Sequence, residues 1–213
     1  MDSFFDEVTN RRYPYPAFRK DLHWHLTVDT ALIHRKLVDP YRELTHRPGI
    51  APVEAQWAHI TLLHGQPLDD LAPGQAEKIA EIVTGECEQI APFDVTLDRP
   101  SVGRVAIECP GRPGAPARRL WDLTARAGAE VTQDNFPRIP ASYYPHLSLG
   151  YGSPTPTQRA DRAELKAWLS DCPYGPVTLR ITSLSLVAQW HTGQYIHWDH
   201  LATIPLAGEA PPC

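Results

Sequence analysis

The chain spells one phrase twice. Gln56 to Gly65 reads "QWAHITLLHG", and Tyr143 to Gly152 reads "YYPHLSLGYG". With His59 laid on His146, Trp57 falls on Tyr144, Ile60 on Leu147, Thr61 on Ser148, Leu62 on Leu149 and Gly65 on Gly152. The shared pattern is aromatic-x-His-apolar-Ser/Thr-Leu-x-x-Gly. Such alternation marks a strand, in which residues i and i+2 share a face. Each copy therefore offers one imidazole and one hydroxyl on one side, His59 with Thr61 and His146 with Ser148. Ile60 and Leu62, or Leu147 and Leu149, anchor the other side in a core. A chain that builds this strand twice is expected to form two related lobes. If the lobes face each other, the cleft between them gains two imidazoles and two hydroxyls about a pseudo-twofold axis.

The remaining segments supply a frame for those strands. "LHWHLTVD" (22–29) alternates and is rich in aromatic and β-branched residues, which predicts a strand. Residues 30–47 have helical spacing, with Pro40 expected to kink or split the helix. A helix is predicted over 73–90, entered after Pro73-Gly74. Residues 93–110 read as two strands joined at Arg99-Pro100, and "GRPGAPAR" as a loop. In 118–132, Leu120, Trp121, Leu123 and Ala127 share one helical face. A further helix is expected in 155–172, starting near Thr157, and closing strands at 177–190 and 195–206. Residues 1–20 read as an irregular arm packed onto the domain, 21–206 as a single bilobal domain, and 207–213 as a disordered tail. The fold class is α+β: two antiparallel sheets with outer helices around a central cleft.

Composition limits the partners. The 213 residues are 42% hydrophobic, enough for one large domain or two lobes sharing a core. The net charge of −5 argues against a long nucleic acid tract, because each phosphate contact needs a cation. It leaves room for a small phosphorylated substrate held in a local pocket. Cys87, Cys109, Cys172 and Cys213 form no C-x-x-C and no zinc or disulfide spacing, and read as reduced thiols. No secretory signal pattern and no apolar run of membrane length are present, so the expected location is cytoplasmic, with no membrane partner.

Paired imidazoles and hydroxyls suit phosphodiester chemistry without a metal. A neutral imidazole takes a proton from an attacking water or ribose hydroxyl, and an imidazolium gives one to the leaving oxygen. The hydroxyls of Thr61 and Ser148 donate to phosphate oxygens where charge builds in the transition state. With ten histidines in the chain, a lone His-x-Ser/Thr triplet carries little weight, and a third copy occurs at His25–Thr27. The information lies in the extended agreement around His59 and His146. His25 lacks the glycine and is expected to be structural or cleft-lining. His23, His25 and His64 together make a conceivable metal set, but no acidic or cysteine ligand accompanies them.

Further candidates rank lower. Arg104 reaches phosphate if it faces the cleft and is otherwise a solvated strand residue. Arg138 belongs to a substrate-covering loop or to the plain surface. Trp57, Tyr144 and Tyr151 either stack a base or belong to the core.

"HITL" and "HLSL" resemble the paired motifs of the two-histidine (2H) phosphoesterase superfamily, and more narrowly those of the 2′-5′ RNA ligase family. "LHWHLTV" resembles that family's first strand, and "VTLRITSLSLVAQW…YIHW" its closing strands. The likeness covers roughly residues 20–200. It implies a bilobal α+β fold and metal-independent action, with no cofactor, on 2′,3′-cyclic phosphates or 2′-5′ linkages of nucleotides or RNA ends. His59 and His146 inherit the catalytic positions, Thr61 and Ser148 the phosphate-binding ones. Serine in the second motif and the 20-residue arm depart from the family pattern. A monomer is expected. A non-catalytic nucleotide-binding module and a true RNA ligase are the alternatives. Complete motifs count against the first, and the acidic balance against a ligase dedicated to long RNA.

Overall fold

The computed structural model of the protein describes residues 1–133, 137–153 and 158–209. Among the described residues, ten strands form two antiparallel sheets. The four-stranded sheet runs β10 (Ile196–Pro205), β9 (Ser183–His191), β1 (Asp21–Leu26), β3 (Ile60–Pro67). The other sheet runs β2 (Ile50–Pro52), β7 (His146–Gly152), β6 (Ala106–Arg112), β4 (Phe93–Leu97), β8 (Val177–Ile181), with β5 (Ser101–Val102) paired to β6. The two motif strands, β3 and β7, lie in different sheets and meet across the interior. Ile60 and Leu62 of β3, and Leu147 and Leu149 of β7, are all buried in the core. The two lobes and the cleft between them are thus formed as the doubled strand requires.

Helices cover the outer faces. α4 (Gln75–Cys87) starts after Gly74, whose φ of +85° is a left-handed conformation that glycine adopts without steric cost. It buries Ile79, Val83 and Cys87, one turn apart on a single face, and packs beside β10 and α5 (Ala115–Thr132). α5 buries Leu120, Trp121, Leu123 and Ala127 and packs on β3. On the other lobe, α3 (Arg42–Thr45) and α6 (Arg162–Ser170) pack together beside β2 and β5.

Several expectations need correction. The arm is not wholly irregular: α1 (Phe4–Asn10) is capped by the Ser3 side chain, which accepts from the Asp6 amide, and it buries Phe5 and Val8. Residues 93–110 yield three strands, because the chain turns again at Gly103–Val105 before β6. Most of "GRPGAPAR" is regular structure, shared between the end of β6 and the start of α5. Segment 177–190 is two strands, divided at Thr182, and the halves belong to different sheets. At Pro40 the helix does break, into α2 (Thr30–Ile33), a π-helical turn over His34–Val38, and α3. The start of α6 is Arg162, capped by Asp161; Thr157 lies outside the described residues. In the tail, Ala207 and Gly208 donate to the carbonyls of Cys87 (3.2 Å) and Ile90 (3.1 Å), and 210–213 lie outside the described residues. Cys87, Cys109 and Cys172 are buried free thiols, and Cys213 is not among the described residues. Among the described residues, no helix is long and apolar enough to cross a membrane.

Candidate active site

The cleft where β3 and β7 meet is a cavity of about 190 Å3 lined by His59, Thr61, His146 and Ser148 together. His59 sits one residue before β3, after a 3-10 turn over Ala55–Trp57. Its Nδ1 lies 2.9 Å from the Trp57 carbonyl oxygen; Nδ1 of His146 lies 3.3 Å from that of Tyr144. A carbonyl only accepts, so each Nδ1 carries the proton, and Nε2 is the nitrogen that the carbonyl does not engage. The two imidazoles are therefore held by the same device, a carbonyl two residues upstream, on both sides of the pseudo-twofold axis.

The symmetry extends to a third position that alternation hides. Between Thr61 and Leu63, β3 advances two residues while β1 advances one, from His25 to Trp24. Between Ser148 and Gly150, β7 likewise advances two while β6 advances one, from Glu108 to Ile107. Each is a β-bulge, which shifts the alternation by one residue. His64 returns to the face of Thr61, Tyr151 returns to the face of Ser148, and both line the cleft. The Tyr151 hydroxyl is directed at Ser148. The glycine that ends each motif also has a steric reason. A Cβ on Gly65 would fall 2.7 Å from the Leu22 carbonyl oxygen, and one on Gly152 only 1.9 Å from that of Asp2.

Behind His59 stands a column of imidazoles. His25 stacks on His59 at 4.2 Å between centroids, and His23 lies 4.1 Å from His64. His25 Nε2 is 2.9 Å from Gln189 Oε1. Burial drives the pKa of His59 down to about 4, with only partial opposition from its bond to the Trp57 carbonyl. Burial pushes His23, His25 and His64 well below the usual histidine value for the same reason. His59 is thus neutral at ordinary pH. His146 is more open, and its Nε2 lies 3.9 Å from Glu108 Oε1. Among the described residues, no group of three His, Cys, Asp or Glu side chains is arranged to hold a metal ion.

The other candidates are placed as follows. His25 is buried against His59, outside the lining of the cleft. Arg104 does not face the cleft: it pairs with Asp2 at 3.2 Å and with Glu7 of the arm. Arg138 is turned to Asp122 (2.5 Å) and lies over the Trp121 ring. Tyr144 is exposed, its ring 5.0 Å from that of His146. Trp57 lines a neighbouring hollow of about 220 Å3 with His197 and Tyr195, and Tyr151 and Ile196 border both spaces. Arg11, Glu108 and Gln189 also line the cleft, and no motif in the sequence announces them.

The family model described as the 2′-5′ RNA ligase superfamily matches residues 28–192. The chain belongs to that superfamily, and so to the two-histidine phosphoesterases. Among solved structures it is similar to TT0787 of Thermus thermophilus, with a TM-score of 0.63 and 17% identity over 89% of this chain and 100% of that one. It is also similar to Escherichia coli LigT complexed with 3′-AMP, with a TM-score of 0.59 and 14% identity over 88% and 98%. A structure described as a phosphoesterase gives a TM-score of 0.60 and 14% identity over 88% and 98%. Identities this low speak for a shared fold alone. A search of curated proteins gave no match.

Proposed function

We propose that the protein is a phosphodiesterase that opens 2′,3′-cyclic phosphates or 2′-5′ linkages of nucleotides or RNA ends by two-histidine acid–base catalysis, without a metal. The observation that carries this reading is the convergence of His59 with Thr61 and His146 with Ser148 on one cavity, each imidazole presenting Nε2. Neutral His59 takes the proton of the attacking water as its oxygen bonds to phosphorus. The bond from phosphorus to the ribose oxygen breaks, and His146 protonates that oxygen. Thr61 and Ser148 donate to the non-bridging oxygens. The division of labour follows from burial: a histidine held near pKa 4 stays unprotonated, so the acid role falls to His146, beside Glu108. The hollow walled by Trp57, His197 and Tyr195 adjoins the phosphate site and suits a stacked base. LigT structures complexed with 3′-AMP, NADP+ and ATP support a small nucleotide as substrate.

Incubation with a 2′,3′-cyclic mononucleotide and with a 2′-5′-linked dinucleotide, in chelator, tests the reading. Hydrolysis of at least one to a phosphomonoester is expected. Turnover that appears only after a divalent cation is added would count against it, as would no turnover of either.

A further inference from the structure

The family match begins at residue 28, yet Phe4, Val8, Arg11 and Tyr15 of the preceding segment line the cleft. The arm is firmly seated. Phe5, Val8 and Tyr15 are buried, the Phe4 ring lies 4.3 Å from that of Tyr151, and the Asp2 amide donates to the Arg104 carbonyl at 2.9 Å. Of the described residues lining the cleft, Arg11 is the one permanent cation, and Glu108 the one carboxylate.

Arg11 is held in a defined pose. Its Nε donates to the Tyr13 carbonyl at 2.8 Å and its Nη2 to His64 Nδ1 at 3.0 Å. His64 Nε2 donates in turn to Asp21 Oδ2 at 2.7 Å. Asp21 is already matched by Arg19, which forks onto both its oxygens at 2.7 Å. Among the described residues, no carboxylate contacts Arg11, which borders the cleft as a half-buried guanidinium, while Arg19, Arg104, Arg112, Arg138 and Arg180 each have at least one. Burial disfavours the charged guanidinium, the more distant Asp21 and Glu7 offset this in part, and an anion held directly in the cleft would offset it further. Burial, with Arg11 and Arg19 nearby, keeps His64 neutral; donation from its Nε2 to Asp21 leaves Nδ1 to accept from Arg11, so that His64 aims Arg11 without competing for the anion.

We propose that Arg11, carried by the arm and aimed by His64, holds a phosphate oxyanion of the substrate in the cleft. This rests on the phosphodiesterase reading for the identity of the substrate. The oxyanion belongs either to the scissile phosphate or to a second phosphate on the same nucleotide.

The test uses the full chain with Arg11→Gln, and with Arg11→Met as a second variant that keeps the aliphatic stem and needs no polar partner. Binding of inorganic phosphate is measured by calorimetry, alongside thermal melting. KM and kcat are measured on a 2′,3′-cyclic nucleotide with and without a 5′-phosphate. In whichever variant melts like the wild type, phosphate affinity is expected to fall about tenfold or more, the size of one charge-assisted hydrogen bond. KM is expected to rise by a similar factor, with kcat changed less. An equal loss on both substrates assigns the scissile phosphate; a loss confined to the 5′-phosphorylated one assigns the second. Wild-type affinity for phosphate together with wild-type KM on both substrates would overturn the proposal. Phosphate binding is read without turnover, so it is judged separately from the phosphodiesterase reading, which fails instead if His59→Ala and His146→Ala leave hydrolysis intact.

Discussion

His25 lies nearly flat against His59, with ring centroids 4.2 Å apart and planes inclined by 20°. The third His-x-Ser/Thr triplet is thereby explained: it supplies the support for the proposed base. With Gln189 on its Nε2, His25 is fixed from behind and in turn fixes the angle at which His59 faces the cleft. His25→Ala should remove that support and open a void. We expect a loss of about 1–3 kcal/mol of stability and a lower kcat, with KM nearly unchanged. His25→Phe should recover more of the kcat than His25→Ala, since it restores a ring. Steady-state kinetics and thermal melts of the two variants check this.

The acid side of the pH profile should be displaced. His59 must be neutral to act, and its pKa is lowered from the ordinary 6.5 to about 4. The acidic limb of kcat/KM is therefore expected between pH 4 and 5, not near 6.5. A limb at or above pH 6 would show that His59 is not buried as described, or is not the base.

The same burial couples stability to pH. His59 in the unfolded chain takes a proton near 6.5, while the folded form resists until about 4. Protons thus favour the unfolded state across that window, so stability is fully present above pH 6.5 and is lost as pH falls toward 4. For His59 alone the loss amounts to about 3 kcal/mol. His23, His25 and His64 are shifted in the same direction and add to it. Denaturant melts between pH 7 and pH 4 should show a steady fall in the midpoint, shallower in His23→Gln than in the wild type.

Gly152→Ala should loosen the arm. Its Cβ would collide with the Asp2 carbonyl oxygen, a backbone atom, so the arm must shift to admit it. Limited proteolysis is expected to cleave within residues 1–20 faster in the variant, with phosphate binding weakened in parallel because Arg11 rides on the arm.

The site was legible where alternation holds and hidden where it breaks. His59, Thr61, His146 and Ser148 could be placed on one face by counting in twos. His64 and Tyr151 could not share that face by the same count, because each follows a bulge, and bulges leave no reliable mark in sequence. Arg11 lies far from either motif and reaches the cleft only because α1 docks on β7, a tertiary contact. Arg104 was offered as a phosphate contact on its strand position, but the carboxylates of Asp2 and Glu7 hold it outside the cleft. The two-lobed α+β fold followed from the doubled strand. The division of 177–190 between two sheets did not, since a continuous apolar alternation gives no sign of which neighbour each half will pair with.

The most direct test is turnover of a 2′,3′-cyclic nucleotide by His59→Ala and His146→Ala, each shown by circular dichroism to be folded. Removal of a general acid or base is expected to lower kcat/KM by about 10²–10⁴-fold in each variant. A rate within a few-fold of wild type in either one would contradict the assignment of that histidine and, with it, two-histidine catalysis in this cleft.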